Sequence, residues 1–125
     1  MSRVAVLTES APKPRPVYSQ AIIANGLVFC SGQLPKDLDG NVVSGTVQDK
    51  ARQCIANLKA VLEAAGSSLE KVVEVNIFLT DMDDFARVNE VYEEYWGEPK
   101  PARTCVAVKT LPSNVNVEMK CIGIV

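Results

Sequence analysis

Residues 46–80 read TVQDKARQCIANLKAVLEAAGSSLEKVVEVNIFLT, and the change of period inside this stretch decides the fold class. In its first half Val47, Ala51, Cys54, Leu58, Val61, Leu62 and Ala65 recur at three- and four-residue steps, which gathers them on one face of a helix. Thr46 stands at the N-cap, and Asp49 three residues on can close a capping box. Gly66 ends the helix, because the position after a C-cap favours left-handed backbone. From Lys71 to Thr80 the period is two. Val73, Val75, Ile77 and Leu79 are expected on one side of a strand, with Glu74, Asn76 and Thr80 on the other.

On the N-terminal side, residues 11–17 (Ala-Pro-Lys-Pro-Arg-Pro-Val) hold three of the seven prolines and form an extended loop. Tyr18 to Ala24 is expected to be a strand, Asn25-Gly26 a tight hairpin turn, and Leu27 to Gln33 the returning strand. On the C-terminal side, Asp81 with Asp83 and Asp84 opens a second helix. Its face is Met82, Phe85, Val88, Tyr92 and Tyr95/Trp96, and Gly97 stops it. Arg103 to Lys109 and Val115 to Val125 are the last two strands, and a further short strand falls near Val4–Leu7.

The order β-β-α-β-α-β-β gives an α+β protein, with a mixed β-sheet and two helices packed on one face. At 125 residues the chain is expected to be a single domain spanning 1–125. Two strands do not fit a half-covered sheet. Cys105-Val106-Ala107-Val108 and Cys121-Ile122-Gly123-Ile124-Val125 are apolar on both sides, and no third helix exists to cover the second face. A partner subunit is the economical cover.

Composition narrows the chemistry. Thirteen Lys and Arg against fifteen Asp and Glu leave a formal charge of −2, with no electrostatic footprint for nucleic acid. The chain has no histidine, which removes Ser-His-Asp and Cys-His nucleophiles, His-ligated metals and imidazole acid–base catalysis. Cys30, Cys54, Cys105 and Cys121 form no CxxC pair and sit in apolar runs, so they read as four buried small hydrophobes in a reducing compartment. No signal peptide and no membrane-spanning segment are visible, and a cytoplasmic protein is expected, a mitochondrial fraction being possible.

Arg103 opens an apolar strand after Lys100-Pro101-Ala102, and its planar guanidinium suits a bidentate grip on a small carboxylate. On pattern alone a solvated strand-end arginine is the commoner outcome. Glu118, between Val117 and Met119, projects to the face opposite theirs, where a carboxylate could orient water or carry a proton; an exposed edge charge facing Lys120 fits as well. Tyr18 and Ser19 could supply hydroxyl donors. Gly32, inside Ser31-Gly32-Gln33, marks a bulge or a close approach of ligand to backbone. Phe85, Tyr92, Tyr95 and Trp96 are most simply core. No phosphate-binding glycine loop, metalloprotease or hydrolase motif is present.

Four segments carry a resemblance. Tyr18-Ser19-Gln20-Ala21, Ser31-Gly32-Gln33, Val75-Asn76-Ile77-Phe78-Leu79-Thr80-Asp81 with Phe85 and Val88-Asn89, and Pro101-Ala102-Arg103-Thr104-Cys105-Val106 resemble the Rid, or YjgF-type, family of reactive imine and enamine deaminases. The match runs from about residue 9 to the C-terminus, with Leu111-Pro112 and Val117-Glu118 in the expected places. The resemblance implies a chorismate-mutase-like fold, a homotrimer with sites between subunits, and hydrolysis of 2-imino or 2-enamino acids to 2-keto acids and ammonia. It implies no metal or organic cofactor, while the charge balance and the lack of a long apolar run argue against a nucleic-acid partner and a membrane. It further implies that Arg103 clamps the substrate carboxylate, Glu118 helps hold the attacking water, Tyr18 lines the pocket, and backbone at Gly32 and Cys105 contacts substrate or water. The alternatives are a non-catalytic trimer that senses small carboxylates, using Arg103 but not Glu118, and an RNA-acting translation inhibitor.

Overall fold

The computed structural model describes residues 2–125. Six strands join one sheet: β1 (Val4–Val6), β2 (Ala21–Ala24), β3 (Leu27–Gln33), β4 (Val72–Leu79), β5 (Ala102–Ala107) and β6 (Val117–Ile124). Their spatial order is β1-β2-β3-β6-β4-β5, with every pair antiparallel except β4 and β5. The parallel pair requires a crossover, and helix α2 (Phe85–Tyr95) supplies it. Helix α1 (Val47–Ala64) lies against α2 and against β3 and β6. The fold is α+β, a mixed sheet carrying two helices.

The capping box forms as expected: the Asp49 amide donates to the Thr46 hydroxyl at 3.2 Å, and the Thr46 amide donates to the Asp49 carboxylate at 3.0 Å. The buried face of α1 is Val47, Ala51, Cys54, Leu58, Val61 and Leu62, joined by Ile55. It packs on Val28, Cys30, Val75, Ile77, Leu79, Val117, Met119 and Cys121 in one continuous core. Leu58 is wholly buried there. Leu58→Ala is expected to lower unfolding free energy by about 2–5 kcal/mol, read from the shift in urea midpoint.

The structure corrects several expectations. Val73 does not face the core: a register shift between Val72 and Glu74 turns Val72 inward and leaves Val73 39% exposed. The strand expected from Tyr18 starts only at Ala21. Upstream, the buried Gln20 amide bonds the backbone of Thr8 and Pro12, so the proline loop is pinned as loop rather than paired as sheet. Asp81 caps a short 3-10 turn (Met82–Asp84), and α2 begins after it, with Val91 buried and Met82 exposed. Cys30, Cys54 and Cys121 are buried, but Cys105 is only half-buried. Phe85 and Tyr95 are partly exposed, while Tyr92 and Trp96 are core.

The sheet face away from the helices stays open in the single chain. Phe29 is 42%, Val106 41% and Ile124 47% exposed there. Among the described residues, no third helix covers the second face of the last two strands within one chain.

Candidate functional site

Tyr18, Gly32 and Glu118 come together around a cavity of about 700 Å³. The local reason is a bulge. Cys30 pairs with Cys121, but Gln33 pairs with Met119, so β3 carries one extra residue between these points. That extra residue sets Gly32 directly over the Glu118 carboxylate, where a Cβ would lie 2.9 Å from the carboxyl carbon. Ser31 holds the Tyr18 loop beside them: its hydroxyl donates to the Ser19 carbonyl at 2.6 Å and its amide to the Gln20 carbonyl at 2.9 Å.

The Glu118 side chain makes no ion pair or hydrogen bond among the described residues. Burial pushes its carboxyl above the ordinary value of 4.5, opposed by Lys120 two residues along the strand. A raised folded-state value means that the group favours the fold while protonated, and that this contribution is lost as pH rises from the free-glutamate range through the folded value. Glu118→Gln, which cannot ionise, is therefore expected to gain stability relative to the native chain across that window. Urea unfolding at stepped pH checks it, and a constant difference between the two proteins would refute it.

Arg103 lies elsewhere in the same chain. It projects from edge strand β5 toward α2, where its guanidinium Nη1 donates to Asn89 Oδ1 at 2.8 Å. The guanidinium carbon sits 4.7 Å from the Tyr92 ring centre and 5.5 Å from that of Phe85. Asn89, Tyr92, Glu93, Lys100 and Pro101 line a shallow hollow of about 260 Å³ with it. Arg103 has no carboxylate partner among the described residues. Cys105 follows on the same side of β5, and burial pushes its thiol up against the opposing pull of Arg103.

One chain thus holds two separate features, a carboxylate under a glycine bulge and an aromatic-backed arginine without an ion pair. Sequence reasoning named Arg103 but not what orients it. Phe85, Asn89 and Tyr92 sit at steps of four and three on α2, so the stripe read as core is also the bed of the guanidinium.

An α+β protein with a mixed six-stranded sheet carrying two helices, and with no histidine near either hollow, is the class that fold and geometry define. A family model described as endoribonuclease L-PSP matches residues 8–125. The chain is 58% identical over 110 residues to "Protein mmf1, mitochondrial" of Schizosaccharomyces pombe, covering 86% of this chain and 67% of that protein. It is 40% identical to a Dermatophagoides farinae protein named 2-iminobutanoate/2-iminopropanoate deaminase, covering 96% of this chain and 94% of the other. The crystal structure of E. coli TdcF with bound serine superposes with a TM-score of 0.91 at 35% identity, covering 98% of each chain. The chain belongs to the endoribonuclease L-PSP family, the YjgF or Rid family. No helix among the described residues is long and apolar enough to cross a membrane.

Proposed function

We propose that the protein is a hydrolytic deaminase of 2-imino and 2-enamino acids, acting as a homotrimer whose sites lie between subunits. The observation that carries this is Arg103, held by Asn89 and two rings yet making no ion pair among the described residues. A guanidinium oriented in advance loses little freedom when a carboxylate arrives. The named deaminase among its relatives, and the relative whose structure holds serine, a small amino acid, support the same substrate class.

In this proposal Arg103 of one subunit fixes the substrate carboxylate over the Tyr18–Gly32–Glu118 half-site of the next. An enamine first takes a proton at C3 to become the imine. Glu118 then orients a water whose oxygen bonds to C2 of the protonated imine, and accepts the proton that the water releases. That proton passes to the nitrogen, the C–N bond breaks as the C2 hydroxyl becomes the carbonyl and gives its proton to solvent, and the 2-keto acid and ammonia leave. A protonated imine is already electrophilic, so placement of water and substrate supplies most of what histidine would add. Backbone at Gly32 and Cys105 is assigned to substrate and water contacts.

The test is to generate 2-iminobutyrate with a threonine dehydratase and follow its conversion to 2-ketobutyrate. Acceleration above the free-solution rate is expected, and its absence refutes the deaminase. Oligomeric state is a separate expectation, supported by the open face bearing Phe29, Val106 and Ile124. Sedimentation at micromolar concentration should give a trimer; a monomer would rule out the shared site.

A further inference from the structure

The Glu118 cavity continues past Tyr18 to three cations that the deaminase chemistry does not use. Lys13, Arg15 and Lys36 all line it, opposite only two carboxylates, Asp39 and Glu118. The chain as a whole carries a net charge of −2, so this wall runs against the overall balance. None of the three cations makes an ion pair among the described residues.

Their backbone is rigid. Lys13 lies between Pro12 and Pro14, and Arg15 between Pro14 and Pro16, so φ is fixed on alternate residues. The buried Gln20 amide donates to the Pro12 carbonyl at 3.0 Å. Across the cavity the buried Asn57 amide donates to the Lys36 carbonyl at 2.9 Å and to the Leu34 carbonyl at 3.1 Å. Two buried amides therefore hold the two lining segments that carry the unpaired cations. Holding charges on fixed backbone lowers the ordering cost of binding an anion between them.

We propose that Lys13, Arg15 and Lys36 form an anion subsite that selects 2-imino acids bearing a second negative group, carboxylate or phosphate, at the far end of the side chain. The subsite rests on the deaminase reading of this cavity, in which Arg103 of a neighbouring subunit takes the first carboxylate and leaves the basic wall for the second. Binding energy from this remote group would hold C2 over the water at Glu118.

Keto-acid products serve as probes. Calorimetric dissociation constants are compared for 2-oxobutyrate, oxaloacetate and 3-phosphohydroxypyruvate at about 0.15 M salt, where screening over about 8 Å suppresses long-range steering. At least one of the two anionic-tailed acids should bind about tenfold or more tightly than 2-oxobutyrate, consistent with a charge-assisted contact. Their relative affinities tell a carboxylate site from a phosphate site. The advantage should disappear in a Lys13→Gln, Arg15→Gln, Lys36→Gln variant, and Arg15→Lys should keep part of it. Equal binding of all three acids, or binding of none, overturns the subsite. So does a triple variant that loses 2-oxobutyrate as fully as the others, since the wall would then hold the single carboxylate. Decay of 2-iminobutyrate separates the two ideas: acceleration without a tail preference removes only the subsite, and a tail preference without acceleration removes only the deaminase.

Discussion

Replacing Arg103 with alanine is expected to reduce kcat/KM for 2-iminobutyrate hydrolysis by about 100-fold or more. A hydrogen bond to a charged group contributes about 1.5–3 kcal/mol, and each 1.36 kcal/mol of transition-state binding is tenfold in rate. Arg103 offers more than one such donor, because Asn89 occupies only the Nη1 side of its fork. Arg103→Lys should fall nearly as far, since a single ammonium neither forks nor stacks flat on Tyr92 and Phe85. Asn89→Ala should leave the charge but free its orientation, giving a smaller loss that appears mainly in KM. Steady-state kinetics with the dehydratase-coupled assay read all three. Full activity in Arg103→Ala would remove the carboxylate clamp.

The second large effect is expected at Gly32→Ala, a change of one methyl group. The new Cβ would lie 2.9 Å from the Glu118 carboxyl carbon and 3.3 Å from its Cγ, closer than such atoms pack. The obstructing atoms are the end of a flexible side chain, so Glu118 can swing aside and the fold is expected to survive with a small change in Tm. The carboxylate would then no longer stand where the water is to be held. Displacement of a catalytic group by about 1 Å can cost on the order of 100-fold, and a fall of 10- to 100-fold in kcat/KM is expected. A double-mutant cycle with Glu118→Ala isolates the cause: once Glu118 is absent, adding Gly32→Ala should cost little more. If Gly32→Ala retained full rate, or cost as much without Glu118 as with it, the water-holding role would be lost.

The elements were legible where local chemistry alone decides them. The capping box at Thr46 and Asp49, the Asn25-Gly26 turn with both residues at positive φ, and strand β3 from Leu27 to Gln33 follow from short-range sterics and hydrogen bonding. Val73 was misassigned because a bulge resets the two-residue alternation, and only pairing with β6 reveals it. Tyr18 was drawn into a strand because nothing nearby shows that Gln20 folds back onto Thr8 and Pro12. The core role given to Phe85 and Tyr92 was incomplete for a similar reason: periodicity says which residues share a helix face, not which cation another strand lays against it.

By itself the sequence determined the α+β class, both helices, and the absence of any histidine chemistry. These follow from residue types and from spacings of a few residues. Only the tertiary structure decided that Gly32 sits over Glu118 and that Asn89 orients Arg103. It alone put these two groups beside separate hollows and left one face of the sheet open. Those facts depend on sheet register and on the order β3-β6-β4-β5, which brings residues 14 to 86 positions apart into contact. No local spacing carries that information, because the free energy that fixes the register comes from burying one whole face of the sheet at once.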